Sequence, residues 1–283
     1  HPAIDRVLTL SSGESFSSFR ARVREEGIDA ILDLHGKLRS AALRWSSPNT
    51  PSSTWKKRST WENISVRAGW QTYHPQTTIL TRYHQAVEDL IGHDLPREPL
   101  TFHVTPAGLT EASELLRTLG YQDDKPLIGL SPGANWATKQ WPVEFYADIA
   151  QRAIGQGKQV IVTASAAERP LVEEIKKYAP TILDACASSL DSLGGLIQAC
   201  STFVANDSGP MHMARALNVP TVAIFGSTAP SQFDFTGHEI LYADTSCSPC
   251  HFYGRKRCPK MHLNCLNDIT ADSVWDAIER LQR

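Results

Sequence analysis

The sequence has 283 residues, of which 41% are hydrophobic and 20% charged, and its formal net charge at pH 7 is -2. This length accommodates one large domain or two ordinary ones with a substantial apolar core, and the composition is unlike that of a disordered chain. The near-neutral charge argues against a broadly basic nucleic-acid binder, and no stretch approaches the ~18 consecutive apolar residues of a membrane span. We therefore expect a globular protein that neither binds nucleic acid nor spans a bilayer.

The first part of the chain has a less regular pattern than the rest. We predict a helix over residues 16–26 and a strand over the apolar run 30–34, followed by a stretch rich in Ser, Pro and Trp over residues 45–75. The pattern changes near residue 105. The sequence therefore predicts a partial N-terminal domain over residues 1–105 and a second domain over residues 106–283.

Aromatic and basic side chains are interleaved in the irregular stretch. They are Trp45, Trp55, Lys56, Lys57, Arg58, Trp61 and Trp70. Such a segment suits peripheral contact with an anionic membrane surface or an acidic acceptor sugar. The alternative is a solvated charge triplet beside tryptophans that pack along an edge of the domain.

From Pro126 onward, short β-rich runs alternate with segments of helical period. The predicted strands are residues 127–130, 159–163, 182–184, 202–205 and 221–225, and the predicted helices are residues 142–154, 166–178, 190–199, 210–217 and 271–281. This alternation is typical of βαβ units and predicts an α/β fold with a doubly wound parallel sheet. Ligands of such sheets bind beyond the carboxyl ends of the strands, so the residues that follow each strand are the site candidates.

Two of the post-strand loops carry candidate ligand-binding residues. Gly133 permits close backbone approach, and Lys139 in the same loop offers a mobile cation to a phosphate. The alternative for Lys139 is a solvated side chain beside Trp136 and Trp141. Glu168, after the next strand, is suited either to accept both hydroxyls of a ribose or to stabilise the start of a helix.

The turn from Asn206 to His212 joins the fourth strand to a helix. Backbone N–H groups at the helix start, the hydroxyl of Ser208 and the open space at Gly209 predict a diphosphate cradle. Alternatively, Asp207 and Ser208 are ordinary N-cap residues. His212 is suited to donate a hydrogen bond to a phosphate, but equally suited to the core.

Four of the six cysteines lie close together in the sequence as Cys-x2-Cys-x7-Cys-x6-Cys: Cys247, Cys250, Cys258 and Cys265. Four soft ligands in one loop suit a tetrahedral structural zinc ion, although the second pair is spaced too widely for a second knuckle. The alternatives are free thiols buried under the loop and a redox-labile pair.

Together these segments resemble glycosyltransferase family 9, the ADP-heptose:lipopolysaccharide heptosyltransferases. The resemblance rests on the following runs, in the family's order and spacing: Gly-Ala-Asn-Trp-x-x-Lys-x-Trp-Pro, Ala-Ala-Glu-Arg, Asn-Asp-Ser-Gly-Pro-Met-His-Met-Ala-Arg-Ala-Leu and Pro-Thr-Val-Ala-Ile-Phe-Gly-Ser-Thr. Segments 1–7 and 33–41 look like the family's middle N-terminal motifs. The resemblance therefore covers nearly the whole chain except residues 45–80, and similar cysteine-rich endings occur in part of the family.

The resemblance implies a GT-B architecture of two Rossmann-like domains, an acceptor-side N-terminal one that is incomplete here and a C-terminal one that binds the nucleotide sugar. It also implies inverting transfer of a sugar from an ADP-sugar donor, with no required metal or other cofactor. The C-terminal domain would hold the donor, with Lys139 at the diphosphate or sugar, Glu168 at the ribose, and Asp207, Ser208, Gly209 and His212 at the diphosphate and the edge of the sugar. Lys139 and the amides at Gly209 would stabilise the charge on the leaving ADP.

The family's general base is expected upstream of His1, on an opening strand and glycine-rich loop. Asp33 and His35 are the first alternatives to test. The resemblance predicts a bacterial enzyme that transfers heptose to the lipopolysaccharide inner core at the cytoplasmic face of the inner membrane. The alternatives are a family 9 transferase of another sugar, because few side chains read the donor hydroxyls, and a non-catalytic nucleotide-sugar-binding homologue.

Overall fold

The computed structural model describes residues 1–55, 64, 68, 77–243 and 245–283. Its internal contacts divide the chain into two units. Among the described segments, the first unit contains residues 1–55, 77–98 and 231–233, and the second contains residues 99–230, 234–243 and 245–283. The domain boundary expected between residues 105 and 106 stays a prediction. Within the described residues, every helix is too short or too polar to cross a membrane.

The first unit combines three helices with a short parallel strand pair in its described part. Its elements are α1 (Phe16–Glu25), β1 (Ile31–Asp33), α2 (Leu38–Trp45), β2 (Ser52–Thr54) and α3 (Ile79–Ile91). β1 and β2 pair in parallel. Helix α1 begins at Ser15, whose side chain accepts a hydrogen bond from the N–H of Ser18, as a good N-cap should. The helix and the strand predicted in this part are confirmed.

The second unit contains the alternating elements that the sequence predicts. They are α4 (Pro106–Thr118), β3 (Leu127–Ser131), α5 (Val143–Gly155), β4 (Gln159–Ala164), α6 (Arg169–Tyr178), β5 (Leu183–Cys186), α7 (Leu190–Gln198), β6 (Thr202–Asn206), α8 (Gly209–Ala216), β7 (Thr221–Phe225), β8 (Glu239–Tyr242), α9 (Asn264–Asn267) and α10 (Ala271–Leu281). The five predicted strands and their helices are confirmed. The sequence analysis did not predict α4, β8 or α9.

The strands of the second unit form one parallel sheet in the order β5-β4-β3-β6-β7-β8. Counted from the first strand of this unit, the order is 3-2-1-4-5-6, which is the order of dinucleotide-binding Rossmann folds. The direction of winding reverses between β3 and β6. The fold therefore leaves a crevice beyond the carboxyl ends of these two strands, where such sheets bind ligands.

Helices cover the sheet from both sides because successive strand residues point to opposite faces. On one face, a continuous core joins alternate residues of β3, β4, β6 and β7, among them Ile128, Leu130, Val160 and Val204, with α5, α6 and α10. On the other face, α4 packs against α7, and α7 against α8. Small residues let α4 and α7 approach closely, since a Cβ placed on Gly195 would lie 2.6 Å from the Cβ of Ala112. The expected doubly wound α/β sheet is confirmed.

Candidate functional site

Asn206, the last residue of β6, fixes the two loops that flank the crevice. Its side chain is fully buried, and its Nδ2 donates a 2.8 Å hydrogen bond to the carbonyl of Pro132, in the loop after β3. Its Oδ1 accepts a 3.1 Å hydrogen bond from the backbone N–H of Trp141, whose indole N–H in turn donates to the carbonyl of Ile269 at 2.8 Å. The loop after β3 is therefore held against the end of β6 by buried hydrogen bonds.

Asp207 is the centre of a polar cluster drawn from three loops. Its Oδ2 lies 2.6 Å from the Nζ of Lys139 and accepts a 2.6 Å hydrogen bond from the hydroxyl of Thr228, while its Oδ1 lies 4.0 Å from the Nε2 of His212. The side chains of Lys139 and Asp207 are only 13% and 6% exposed. The structure thus brings together three of the predicted residues and adds Thr228, whose role the sequence analysis missed.

The imidazole of His212 is held in its neutral form near pH 7. Burial lowers its pKa, and the positive charges of Arg215 and Lys139 lower it further, while Asp207 acts in the opposite direction. A neutral ring has one N–H donor and one acceptor nitrogen. His212 can therefore donate a hydrogen bond to a ligand at the start of α8 without adding a further charge.

The start of α8 presents unsatisfied donors to open space. The hydroxyl of Ser208 is buried and, among the described residues, has no hydrogen-bond partner. A Cβ placed on Gly209 would meet no atom within 4 Å. Because the first N–H groups of any helix lack partners within it, and the helix dipole is positive there, this end of α8 is suited to an oxyanion.

Glu168 and Gly133 form a contacting pair beside this cluster. A carboxylate oxygen of Glu168 accepts hydrogen bonds from the N–H and the hydroxyl of Ser165 at 2.9 and 2.7 Å, so the helix-start role is present. A Cβ on Gly133 would lie only 2.2 Å from that carboxyl group. Glycine is therefore required for Glu168 to occupy this position. The carbonyl of Gly133 also lies 3.3 Å from the Nδ2 of Asn206, which links the pair to the Asp207 cluster. The ribose contact of Glu168 stays a prediction.

Residues 247–265, here called the cysteine loop, fasten the loops that carry Lys139 and Thr228. The backbone N–H of Thr138 donates a hydrogen bond to the carbonyl of Arg255 at 3.2 Å, and the Oγ1 of Thr138 accepts one from the backbone N–H of Arg255 at 2.8 Å. The hydroxyl of Thr138 also lies 2.9 Å from that of Ser227, whose carbonyl accepts the N–H groups of Cys250 and His251 at 3.1 and 3.0 Å.

This junction was also missed by the sequence analysis, although Thr138 and Ser227 both lie in the quoted motifs. The available signal was the occurrence of short hydroxyl side chains in the loops that follow buried strands, where backbone groups leave the sheet and need partners. Thr138 is 2% exposed and Ser227 is 1% exposed. We conclude that this part of the cysteine loop positions the candidate site from outside it.

The four clustered cysteines do not form a metal-ligand set in the structure. Among the described residues, no three Cys, His, Asp or Glu side chains are grouped so as to hold a metal ion. The Sγ of Cys247 lies 3.8 Å from the Nε2 of His262, and Cys265 is buried, with burial and the neighbouring thiols raising its pKa to about 12. The zinc ion stays a prediction from the spacing.

Asp33 in the first unit has a structural role at the end of β1. One carboxylate oxygen accepts the N–H groups of His35 and Gly36 at 3.0 and 2.7 Å, and the other lies 3.3 Å from the Nε of Arg44. Although burial raises its pKa, these hydrogen bonds and the neighbouring cation outweigh burial and keep the pKa below its usual value. A carboxylate held in this way is a weak base. The base expected upstream of His1 stays a prediction.

The aromatic and basic stretch is only partly described. Trp45 is 71% exposed, whereas Trp55 packs edge-on against Tyr83 with ring centroids 5.2 Å apart. Residues 56–58, Trp61 and Trp70 lie outside the described residues. Membrane contact by this stretch stays a prediction.

The strand order, and a polar cluster at the point where the winding reverses, define a Rossmann-like α/β protein. Residues 16–262 match the sequence model of glycosyltransferase family 9 (heptosyltransferase). The chain therefore belongs to glycosyltransferase family 9.

Curated relatives carry heptosyltransferase names. Lipooligosaccharide heptosyltransferase 2 of Campylobacter jejuni (serotype O:6) is 30% identical over 169 residues, which are 56% of this chain and 52% of that protein. Lipopolysaccharide heptosyltransferase 1 of Pseudomonas aeruginosa is 27% identical over 271 residues, 88% of this chain and 73% of that protein. The chain thus spans about half the length of the first of these relatives.

Solved structures of the family share the fold. A glycosyl transferase family 9 structure from Veillonella parvula superposes with a TM-score of 0.76 at 22% identity, covering 94% of this chain and 78% of that one. The Escherichia coli heptosyltransferase WaaC, solved with ADP-2-deoxy-2-fluoro heptose, gives a TM-score of 0.63 at 17% identity, covering 94% and 76%. These likenesses confirm the expected α/β fold of GT-B type.

Proposed function

We propose that this protein is an inverting glycosyltransferase that moves heptose from ADP-heptose to the lipopolysaccharide inner core, at the cytoplasmic face of the inner membrane. The observation that carries the proposal is the cluster of Lys139, Asp207 and His212 beside the start of α8, at the reversal point of a nucleotide-binding sheet. Family membership and the heptosyltransferase names of the relatives support it.

In this proposal the second unit binds the donor. The diphosphate lies over the open space at Gly209 and accepts hydrogen bonds from the start of α8 and from the unpartnered hydroxyl of Ser208. The ammonium group of Lys139 reaches the diphosphate or the sugar while Asp207 holds it in place. Glu168, in the space that Gly133 leaves open, accepts the ribose hydroxyls.

The chemistry asked of these residues is electrostatic. An acceptor hydroxyl oxygen attacks the anomeric carbon from the face opposite the diphosphate, gives its proton to a base, and the bond from that carbon to the diphosphate oxygen breaks. The bonding pair leaves with ADP. Lys139 and the positive end of α8 stabilise the negative charge that develops on the leaving oxygen, and the neutral ring of His212 adds a donor.

Calorimetry with ADP tests donor binding by the 283-residue chain. Replacing Lys139 by Ala should weaken ADP binding by about 1.5 to 3 kcal/mol, the usual range for a hydrogen bond to a charged group. Lys177→Ala is the matched control, because Lys177 is 64% exposed on α6 and pairs only with the neighbouring Glu174 among the described residues. Unchanged ADP affinity in the Lys139 variant would remove this residue from the site.

Transfer itself is tested with a protein that also carries the sequence upstream of His1, where the general base is expected, by following ADP release from ADP-heptose in the presence of lipopolysaccharide that lacks heptose. We expect release only when donor and acceptor are both present, with the anomeric configuration of the product inverted in its NMR spectrum. ADP binding without any release would favour the non-catalytic homologue, and release from a different ADP-sugar would favour the alternative donor.

A further inference from the structure

A cavity of about 280 Å³ lies between the turn that carries Lys139 and the cysteine loop. Its lining includes Ala137, Thr138, Lys256, Arg257, Met261 and Leu263, all of which belong to the second unit. Small-molecule sites usually occupy about 300 to 1,000 Å³. This cavity therefore has room for one sugar unit or one anionic substituent, but not for a whole nucleotide sugar.

Two cations line the cavity. Lys256 and Arg257 are exposed, and among the described residues neither has a carboxylate partner or a side-chain hydrogen bond. The described lining of the cavity contains no carboxylate, and its one other ionisable side chain is the thiol of Cys258. The preceding residue, Arg255, is held to Thr138 through its backbone, and its buried Nε also has no partner within the described residues. Such a site favours an anion that can accept several N–H donors.

The opposite part of the lining is apolar and conformationally strained. Met261 and Leu263 adopt left-handed backbone angles, with φ of 56° and 52°, which side chains with a Cβ rarely occupy. Met261 is 92% exposed and lines the cavity together with Lys256 and Arg257. Strain of this kind is retained where the surrounding structure enforces it, and it is often found at ligand sites. Apolar contacts next to cations suit a sugar ring or acyl-linked group that carries an anionic substituent.

The position of the cavity relates it to the donor site. Thr138 lines the cavity, and the next residue, Lys139, belongs to the Asp207 cluster. In the proposed function the diphosphate lies at the start of α8, and none of the residues assigned to it (Lys139, Ser208 and Gly209) lines the cavity. A group bound in the cavity is therefore adjacent to the donor without competing for its diphosphate.

We propose that this cavity binds a phosphate or carboxylate group of the acceptor glycolipid, through Lys256 and Arg257, and so places the acceptor beside the donor. This inference rests on the proposed function and names the part of the acceptor that the second unit recognises. The charge of the cavity favours the acceptor over a neutral sugar, and its size excludes the nucleotide.

The experiment compares the wild-type chain with the double variant Lys256→Ala/Arg257→Ala. Binding is measured by co-sedimentation with phosphatidylcholine vesicles that contain heptose-deficient lipopolysaccharide, and ADP affinity is measured in parallel by calorimetry. Lys260→Ala is the matched control, since Lys260 is an exposed cation on the same loop outside the cavity lining. We expect the double variant to bind these vesicles at least tenfold more weakly, with ADP affinity changed less than twofold, and Lys260→Ala to behave as wild type.

Three outcomes overturn the inference. They are wild-type vesicle binding by the double variant, an equal loss in Lys260→Ala, and equally tight binding of the wild type to vesicles that carry phosphatidylglycerol at matched charge. Failure of the wild-type chain to bind ADP contradicts the proposed function instead, so the two failures are distinguishable.

Discussion

Replacing Asp207 by Asn removes one charge from the centre of the candidate site while keeping the size of the side chain. In the wild type the carboxylate lies 2.6 Å from the Nζ of Lys139, and both side chains are largely buried. Removing one partner of a buried ion pair leaves the other charge uncompensated and typically costs about 3 to 5 kcal/mol. We therefore expect Asp207→Asn to lose about that much unfolding free energy.

A double-mutant cycle separates the ion pair from other effects of the substitution. Urea unfolding followed by tryptophan fluorescence is measured for Asp207→Asn, Lys139→Met and the double variant, because the buried Trp141 lies in the adjoining loop. The double variant no longer contains a lone ammonium group. The double variant should therefore lose less unfolding free energy than the two single variants added together, by roughly 1 to 3 kcal/mol.

ADP provides a second measurement on the same variants. If the diphosphate approaches Lys139, it supplies the negative charge that Asp207→Asn lacks, so saturating ADP should stabilise this variant at least as much as the wild type. A ligand at 100 times its Kd contributes about 2.7 kcal/mol. The contrary result is that the two single variants added together lose the same unfolding free energy as the double variant, to within about 0.5 kcal/mol. That result would show that Lys139 and Asp207 are not energetically coupled, and would refute the reasoning.

Two further predictions concern Gly133 and His212. Gly133→Ala must displace the carboxyl group of Glu168, whose flexible end can move, so the unfolding free energy should fall by no more than about 1 kcal/mol while ADP affinity falls roughly tenfold. The control is Gly155→Ala, where a Cβ meets nothing within 4 Å and neither quantity should change. Unaltered ADP affinity in Gly133→Ala would exclude Glu168 from the site. Because burial lowers the pKa of His212, the unfolded chain binds its proton more readily, and wild-type stability should be lost as pH falls below about 6.5. Between about pH 7.5 and 5.5, His212→Gln should lose less unfolding free energy than the wild type, as measured by urea titrations. Equal losses in the two proteins over this pH range would contradict the prediction.

The sequence predicts the second unit well because its strands are continuous apolar runs. All five residues of β3, β6 and β7 are buried, and runs of that kind have few other interpretations. β8 is different, since none of its residues is buried and it lies at the sheet edge. The other edge strand, β5, also has four residues, but two of them are buried in alternation, and β8 lacks that pattern.

The candidate site divides along similar lines. Lys139, Asp207 and His212 were identified because each follows a predicted strand, and position alone places such residues at one edge of a parallel sheet. The roles of Thr138 and Asn206 depend on partners that are 117 and 65 residues away in the chain. Pairings at that separation are set by how loops return to the sheet, which local sequence does not specify. The cysteine spacing is limited in the same way, because thiol positions depend on how the loop turns between them, and the zinc ion stays a prediction.

The reversal of winding between β3 and β6 also bears on how such a protein diverges. The helices that follow these neighbouring strands leave in opposite directions, and this connectivity alone creates the crevice. The crevice does not depend on any particular side chain. Superposition with a TM-score of 0.76 at 22% identity is consistent with that, since the connectivity persists while most residues change. Related proteins therefore share the position of the ligand site. New ligand specificities can arise at that position when a few loop residues are replaced and the sheet is unchanged.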